Sequence, residues 1–297
     1  MHISVLKKEA LEFLNPGPNE NFIDATVNGG GHALEILAKT APEGKLLAID
    51  LDKDAIAKFE EKISENNFKQ RVVVANDNFA RIKDIVREKD FSDIAGIIAD
   101  LGFSSWQIEE SGRGFSFLKD EPLLMTLSGA SDGLTAYEIV NGWPEERLKE
   151  VIREYGEERF AGRIARNIKE ARRNKKITTT KELVEIIEKA VPGAYRRAKI
   201  HPATRTFQAL RITVNDELLN LRVFLENAFD VLQPGGRLVI ISFHSLEDRI
   251  VKNFFKEKKL VGQAEVQTKK PIIPSDEEIK ANPRSRSAKL RALIKIS

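Results

Sequence analysis

Short apolar runs alternate with segments of helical periodicity along the first hundred residues. The runs are "FIDAT" (22–26), "KLLAID" (45–50), "RVVVAN" (71–76) and "IAGIIADLG" (94–102). Near-continuous apolar strands separated by helices of about 10–15 residues are typical of a parallel sheet whose two faces are both covered. The pattern therefore predicts repeated βα units.

The pattern changes between Ser105 and Asn215, where few strand-like runs occur. Amphipathic helical stretches replace them, among them "EERLKEVIREYGEERFAGRIARNIKEARR" and "TTKELVEIIEKAV". Threonines suited to N-capping open the second stretch. We expect a helical domain at 108–213, inserted into an α/β domain formed by 1–107 and 214–297.

The α/β pattern resumes towards the end of the chain. "DELLNLRVFLENAFDVL" predicts a helix, "QPGG" a turn and "RLVIISFH" a buried strand. In "AKLRALIKIS", four apolar residues alternate with cations, as in a half-exposed strand; the apolar residues are Leu290, Ala292, Ile294 and Ile296. We expect the last two strands to form an antiparallel edge pair, joined by a long polar loop over 269–287.

Composition narrows the class of protein. The chain has 297 residues, of which 41% are hydrophobic and 31% charged, as expected for a globular protein. No apolar run approaches the roughly 20 residues of a membrane span, and the first residues lack the apolar core of a secretory signal. We therefore expect a cytoplasmic protein. The chain has no cysteine and four scattered histidines, so the sequence predicts no metal site.

Charge is unevenly distributed. The segment from Arg147 to Arg211 holds 18 Lys+Arg and 8 Asp+Glu, whereas the preceding stretch from Ser105 to Glu146 holds 2 and 8. A basic patch suggests a polyanionic partner, although a solvated helical surface would carry the same charges. Charge alone leaves both interpretations open.

Three glycines follow the first strand, in "NFIDATVNGGGHALEIL" (21–37). A strand, glycines and a helix start allow a ligand to approach bare backbone. The dinucleotide fingerprint fails because Leu34 stands where its third glycine is required, and no G-K-[ST] of a phosphate loop follows.

Acidic residues lie at or near the ends of the first two strands. Asp24 is near the end of the first, and Asp50 ends the second, twenty residues after Gly30. A carboxylate in the second position is suited to bind ribose hydroxyls. Without a pyrophosphate motif, this combination favours a nucleoside ligand that lacks phosphates, namely S-adenosylmethionine. A tight turn that binds no ligand is the alternative.

Two further strand ends lie at the same predicted edge. In "NDNF" (76–79), Phe79 is suited to lie beside an adenine ring and Asp77 to accept from its exocyclic amine. In "ADLGFSS" (99–105), Asp100 interrupts an apolar run at the mouth of the sheet. Asp100 is either a functional group or a cap for the following loop, and we favour function.

The chain resembles the bacterial 16S ribosomal RNA (cytosine-N4)-methyltransferase family along almost its whole length. The shared strings include "DATVNGGGHA", "DLGFSS", "RGFSF", "HPATRTFQALRITVN", "SFHSLEDRIVK" and "NPRSRSAKLR". The resemblance implies a class I methyltransferase (Rossmann-like) fold: a seven-stranded, mostly parallel sheet with an inserted all-helical, partly basic substrate-recognition domain.

The resemblance also implies the site and the substrate. Gly30, Gly31 and His32 would hold the methionine end of S-adenosylmethionine and Asp50 its ribose, with Phe79, Asp100 and Gln107 completing the pocket. The substrate would be N4 of a decoding-centre cytosine of 16S rRNA in the 30S subunit. One departure is visible: where the family carries P-L-D-M-R-M, this chain has "PLLMTL" (122–127). An acid and an arginine are therefore missing, and Arg113 and Asp132 are candidates to compensate.

We predict RNA contacts on both domains. The candidates are Arg163, Arg166, Lys169, His201, Arg205, Arg284 and Arg286. Arg172 and Lys176 extend the helical series, whereas His244 is expected to be structural. Four aromatic residues are candidates to stack on the target base, although core packing is the stronger expectation for each; they are Phe103, Trp106, Phe115 and Phe117.

Methyl transfer to cytosine N4 requires an acceptor for an N4 hydrogen. Asp100 or a backbone carbonyl in "DLGFSS" would serve. No proline pair follows Asp100, as it does in most DNA N4 enzymes, so RNA is favoured. Two rivals remain: a methyltransferase for protein or small molecules would not need the basic helices, and a protein that only senses the cofactor would not need Asp100. The sequence leaves the oligomeric state open, a homodimer included.

Overall fold

The computed structural model describes residues 4–102, 110–128 and 133–297. The chain forms two compact units. We call Met1–Ser104 with Leu218–Ser297 the sheet unit and Ser105–Glu217 the helical unit. The domain boundaries that the sequence predicts are 107/108 and 213/214.

The sheet unit contains seven strands. They are β1 (Asn21–Asp24), β2 (Leu46–Asp50), β3 (Val72–Asn76), β4 (Ile94–Asp100), β5 (Arg237–Ser242), β6 (Ala264–Val266) and β7 (Lys289–Lys295). Their order is β3-β2-β1-β4-β5-β7-β6. The first five are parallel, and β7 is antiparallel to both of its neighbours. The expected seven-stranded, mostly parallel sheet is confirmed.

Helices cover both faces of the sheet. They are α1 (Lys7–Leu14), α2 (Gly31–Lys39), α3 (Lys53–Glu65), α4 (Ile82–Glu88), then, after the helical unit, α11 (Glu217–Val231), α12 (Ser245–Leu260) and α13 (Asp276–Ala281). Alternate strand residues point to opposite faces. Leu47 and Ile49 of β2 accordingly belong to the core with α4, α11 and α12, and Leu46 and Ala48 to the core with α1, α2 and α3. This double burial explains the near-continuous apolar strands.

The predictions for the last strands were partly wrong. β6 and β7 do pair antiparallel, but β7 lies between β5 and β6, so only the three-residue β6 is at the edge. Arg291 of β7 is therefore buried, at 7% exposure, and forms an ion pair with Asp248 at 2.7 Å. β7 is not a half-exposed strand, because both of its faces are packed: Leu290 and Ala292 belong to one core and Leu293 to the other.

The 269–287 segment was expected to be a loop, but it holds α13 and a 3₁₀ turn over Pro283–Ser287. Ser275 caps α13 by accepting the Glu278 N–H at 3.2 Å, and three acidic residues occupy the first turn. Acidic side chains at a helix N-terminus favour the helix. Capping by Ser275 thus explains why α13 forms in a segment whose polar composition predicts a loop.

The helical unit contains six described helices. They are α5 (Ala136–Gly142), α6 (Glu145–Glu154), α7 (Ala161–Asn174), α8 (Thr180–Ala190), α9 (Gly193–Arg196) and α10 (Thr204–Val214). Apolar residues three or four apart bury one face each of α6, α7 and α8 in a separate core; they are Leu148, Ile152, Ile164, Ile168, Leu183 and Ile187. Thr179 and Glu182 form a capping box at α8, which confirms the predicted threonine cap.

The long amphipathic stretch from Glu145 to Arg173 is two helices rather than one. The helical conformation is interrupted at Gly156 and Glu157, and Glu157 has a φ of 50°. A Cβ at Gly156 would lie 2.5 Å from the carbonyl oxygen of Arg205, so the close approach of α10 requires glycine there. Among the described residues, no helix is both long enough and apolar enough to cross a membrane.

Candidate functional site

Three buried carboxyl groups lie at the carboxyl-terminal edge of the parallel strands. Asp24 ends β1, Asp50 ends β2 and Asp100 ends β4. Their exposed fractions are 2%, 8% and 7%. Open α/β sheets bind ligands at this edge. We call these three residues the acid edge.

Asp50 is held by two backbone donors. Its Oδ2 accepts the Asn28 N–H at 2.8 Å, and its Oδ1 accepts the Asp52 N–H at 2.9 Å. Burial raises the pKa of Asp50 to about 6 despite these hydrogen bonds. A carboxylate has about four acceptor positions, so each oxygen keeps capacity for a ligand hydroxyl. The orientation is fixed before any ligand binds.

Asp24 joins β1 to the start of α2. It accepts the Thr26 N–H at 3.2 Å and an N–H of Ala33 in the first turn of α2. Burial raises the pKa of Asp24 to about 7, and the nearby charges of Asp100 and Asp50 add to the shift. The sequence reasoning gave Asp24 no role, although an acid that ends an apolar strand is the same signal that pointed to Asp50 and Asp100.

Asp100 has one oxygen without a partner. Its backbone N–H donates to Thr26 Oγ1 at 2.6 Å, and its carboxyl group accepts the Gly102 N–H. Oδ1 is buried and has no hydrogen-bond partner among the described residues. Burial, with the charge of Glu247 as a smaller cause, raises the pKa of Asp100 to about 7. A buried oxygen left unpaired is rare in a folded protein and calls for a functional explanation.

Gly30 and Gly31 lie at this edge, and packing within the protein also explains why both positions are glycine. Gly30 has a φ of 77°, and a Cβ there would lie 2.5 Å from the Phe59 ring. A Cβ at Gly31 would lie 1.8 Å from Ser4 Oγ. Phe59 therefore leaves no room for a side chain at Gly30, and Ser4 leaves none at Gly31, whether or not a ligand binds.

His32 is in the first turn of α2 and is 5% exposed. Its Nε2 lies 3.1 Å from the carbonyl oxygen of Val5, and only a protonated Nε2 forms a hydrogen bond with a carbonyl. The imidazole thus attaches the N-terminal segment to the glycine turn.

The end of β3 is close to Asp50, because Asp50 pairs with Asn76 in the sheet. Phe79 contacts Phe224 edge to face, with ring centroids 4.8 Å apart, and is partly buried against the core. Asp77 forms an ion pair with Arg81 at 2.6 Å, so it is less available to an amine than expected. Gln107 lies outside the described residues.

Comparison with known proteins identifies the family. Residues 1–296 match the model of the MraW methylase family. The chain belongs to this family. Curated relatives are named ribosomal RNA small subunit methyltransferase H. The protein from Syntrophotalea carbinolica is 45% identical over 311 residues, covering 99% of this chain and 98% of the relative. The protein from Clostridioides difficile is 43% identical over 310 residues, covering 99% of each.

One solved structure is an rRNA methylase from Streptococcus thermophilus. It matches with a TM-score of 0.44 and 14% identity over 99% of each chain. A likeness at that level carries no information beyond the sheet topology already described.

In this MraW family member, the basic candidates of α7 occupy different environments. Arg163 and Arg166 are exposed. Lys169 forms an ion pair with Glu145 at 3.0 Å, and Arg166 lies 3.8 Å from the same carboxylate. Arg172 instead donates to the carbonyl oxygens of Val140 at 2.7 Å and Trp143 at 2.6 Å.

The assignment of Arg172 to a phosphate-facing surface was wrong. Three residues advance about 300° around a helix, which is about 60° short of a full turn. Side chains spaced three apart therefore shift steadily around the helix. Arg172 therefore lies about 180° from Arg163, on the side of the buried Ile168. Its cation neutralises the carboxyl end of α5, where carbonyl groups lack helical partners.

His201 and Arg205 also have partners within the helical unit. The His201 ring stacks on Phe117 with centroids 4.7 Å apart, and its Nδ1 accepts the Ala203 N–H at 3.2 Å. Arg205 donates to the carbonyl oxygen of Glu157 at 2.7 Å. Phe115 and Phe117 pack against the helical core, as the core-packing interpretation expects. Phe103 and Trp106 lie outside the described residues.

The "PLLMTL" departure is braced by polar side chains. Arg113 is 7% exposed and donates to the carbonyl oxygens of Thr126 at 3.1 Å and Leu127 at 2.8 Å. Asn215 accepts the Leu127 N–H and donates to the Met125 carbonyl oxygen, both at 2.8 Å. Arg113 therefore supports this segment, while Asp132 lies outside the described residues.

His244 is the N-cap of α12, as its structural interpretation expects. Its Nδ1 accepts the Glu247 N–H at 3.4 Å, and Glu247 accepts the His244 N–H in return. Sequence reasoning missed Glu247, which is 4% exposed and raises the pKa of Asp100. The spacing H-x-x-E of a capping box was the available signal. Arg284 and Arg286 are both exposed on the 3₁₀ turn before β7.

Proposed function

We propose that the protein transfers the methyl group of S-adenosylmethionine to N4 of a decoding-centre cytosine of 16S rRNA in the 30S subunit. The observation that supports this most directly is the unpartnered, buried Oδ1 of Asp100 at the carboxyl end of β4. Family membership and the names of the relatives support the class of substrate.

The chemistry of the acid edge fits this cofactor. Burial raises the pKa values of all three carboxyl groups, and no lysine or arginine of the described residues forms an ion pair with any of them. Uncompensated buried carboxylates favour a cationic ligand. S-adenosylmethionine is cationic at its sulfonium and supplies an activated methyl group.

Each predicted cofactor residue has a distinct task in this proposal. Asp50 accepts from the ribose hydroxyls with the oxygens that Asn28 and Asp52 orient. The backbone of Gly30, Gly31 and His32 holds the methionine end at the start of α2. Phe79 lies beside the adenine, and Gln107 completes the pocket.

Asp100 acts on the substrate amine. The lone pair of cytosine N4 is delocalised into the ring, and an acceptor for one N4 hydrogen makes it available. As the N4–carbon bond forms and the sulfur–carbon bond breaks, Asp100 takes the proton that N4 loses. A base with a pKa of about 7 is close to ideal for proton transfer near neutral pH. Alignment of the reacting atoms supplies much of the remaining rate.

RNA contacts are assigned to exposed or partly exposed side chains of both units, namely Arg163, Arg166, Lys169, His201, Arg205, Arg284 and Arg286. Lysine and arginine contacts to phosphate position an RNA substrate without reading its sequence. A base in a loop or single strand is cheaply turned out towards an active site.

The test is incubation of the purified protein with radiolabelled S-adenosylmethionine and unmethylated 30S subunits, followed by nucleoside analysis. We expect label in N4-methylcytidine. Free 16S rRNA run in parallel shows whether the assembled subunit is required, and gel filtration of the active species shows whether it is a homodimer. Label in another nucleoside, or in ribosomal protein, would refute the proposed substrate.

A further inference from the structure

A cleft of about 460 Å³ opens on the helical unit beside α6 and the start of α7. Four cations line it: Lys149, Arg159, Arg163 and Arg166. Two carboxylates, Glu145 and Glu146, line it as well. The proposed function assigns Arg163 and Arg166 to RNA contact, but it gives no role to Lys149, to Arg159 or to the cleft as a whole.

The two carboxylates are already neutralised. Glu145 lies 3.0 Å from Lys169 and 3.8 Å from Arg166, and the hydrogen bond from Lys169 is the largest cause that lowers the pKa of Glu145. Glu146 lies 2.9 Å from Lys149. With Lys169 included, five cations therefore face two carboxylates, and positive charge remains for an external anion.

Arg163 carries part of that surplus. Its backbone N–H donates to the carbonyl oxygen of Phe160, but its exposed side chain makes no hydrogen bond or ion pair with any residue that the structure describes. Arg163 precedes Arg166 by three residues on α7, so these two side chains are neighbours on the helix surface, and both line the cleft together with Arg159. A guanidinium offers five N–H donors in a planar fork that matches phosphate.

Arg159 is held at the cleft by aromatic rings instead of by an acid. Its guanidinium carbon lies 4.8 Å from the ring centroids of both Phe160 and Tyr195, which contact each other edge to face at 4.9 Å. A cation over aromatic faces is positioned without pairing its charge. Tyr195 is itself fixed, because its hydroxyl donates to Glu158 Oε2 at 2.6 Å. Arg159 is therefore preorganised and keeps its donors for a ligand.

We propose that this cleft binds a phosphodiester group of the rRNA substrate, with Arg159 and Arg163 as its direct ligands. Several adjacent cations fit a polyanion better than a single carboxylate, and the guanidinium forks fit phosphate oxygens. The identity of the anion as rRNA rests on the proposed function, whereas the anion site rests on the geometry alone.

The experiment measures equilibrium binding of the full-length protein to unmethylated 30S subunits and to free 16S rRNA at about 50–200 mM KCl. The test variant is Arg159→Ala with Arg163→Ala. The control is Arg153→Ala with Arg173→Ala, which removes the same charge from exposed positions of α6 and α7 outside the cleft. We expect the test variant to bind roughly tenfold more weakly and its salt slope to fall by about one per lost phosphate contact, while the control stays close to wild type.

A second variant separates binding from folding. Arg163→Ala removes no side-chain hydrogen bond or ion pair with a described residue, so its melting temperature should equal that of wild type while the salt slope still falls. Equal losses in the test and control variants would assign the effect to total charge and overturn the cleft. A competition experiment adds inorganic phosphate or chloride at equal ionic strength and measures how much RNA each releases. If phosphate releases more RNA than chloride does, but to the same extent from the test variant and from wild type, the cleft is also overturned.

The same measurements distinguish failure of the cleft from failure of the proposed function. Wild type that methylates 30S subunits, together with cleft variants that bind RNA normally, refutes the cleft alone. Wild type that forms no N4-methylcytidine, together with a selective loss of RNA binding in the cleft variant, refutes the reaction and supports the site.

Discussion

The acid edge of the sheet unit buries three carboxyl groups away from cationic partners, whereas α6 and α7 of the helical unit keep most of their cations at the surface. The pKa values of Asp24, Asp50 and Asp100 rise to between about 6 and about 7. The surface cations of the helical unit are partly paired, with carboxylates 2.9–3.8 Å away. Burial strengthens electrostatic effects, and solvent screens them. Changes at the acid edge should therefore be severe, and changes at the basic surface graded and dependent on salt.

The most severe test of this comparison is Asp100→Asn. We expect kcat for 30S methylation to fall by about 10²–10⁴, because an amide cannot accept the N4 proton. The affinity for S-adenosylmethionine, measured by calorimetry, should change much less. The matched control is Asp93→Asn, an exposed residue just before the opposite end of the same strand. Normal turnover by Asp100→Asn would rule out its role as the proton acceptor.

Asp50→Asn should weaken S-adenosylmethionine binding by about 10–100-fold. Hydrogen bonds to charged groups contribute about 1.5–3 kcal/mol, and about 1.4 kcal/mol corresponds to a factor of ten in affinity. Calorimetry measures the loss, with exposed Asp54→Asn as the control. Because Asp50 also fixes the Asn28 and Asp52 N–H groups, melting temperatures are compared first, and Asp50→Glu should restore part of the affinity. Unchanged binding by a folded Asp50→Asn protein would contradict the ribose assignment.

Arg172→Ala tests the helical unit, because Arg172 is the basic residue of α7 whose side chain faces inward. Loss of its two hydrogen bonds to carbonyl oxygens should cost about 1.5–3 kcal/mol of unfolding free energy. Its exposed neighbour Arg173→Ala should stay within about 0.5 kcal/mol of wild type. Denaturant titration measures both. Equal stabilities would mean that the carbonyl contacts contribute nothing.

The acid edge should also make the stability of the protein depend on pH. The acid-edge pKa values are raised above the ordinary value of 3.8, so the folded state holds protons that the unfolded state has released. Stability is therefore greatest at the acidic end and falls as pH rises towards about 7, by at most about 1.4 kcal/mol per pH unit for each group. Asp24→Asn removes one of these groups.

Melting temperatures of cofactor-free protein between pH 5 and pH 8 check this expectation. Wild type should lose more stability over the range than Asp24→Asn. Parallel curves for the two proteins would show that Asp24 does not titrate as its burial implies.

Prediction from sequence succeeded where a local pattern has one structural meaning. Apolar runs ending in Asp24, Asp50 and Asp100 placed all three at one edge, because the carboxyl ends of parallel strands meet there. The threonine cap of α8 and the structural role of His244 were also predictable, since capping depends on residues three apart. The roles of Gly30 and Gly31 were only half predictable, because the atoms that exclude a side chain belong to Phe59 and Ser4.

The sequence by itself determined the parallel βα units, the break in their rhythm and the positions of the acidic strand ends, because these depend on periodicity and on residue order. Only the tertiary structure decided that β7 enters the sheet between β5 and β6, that Arg172 faces α5 and that Asp100 keeps an unpaired oxygen. Burial and charge pairing depend on residues far apart in the chain, and a pattern of period two or 3.6 contains no information about which distant surface will cover it.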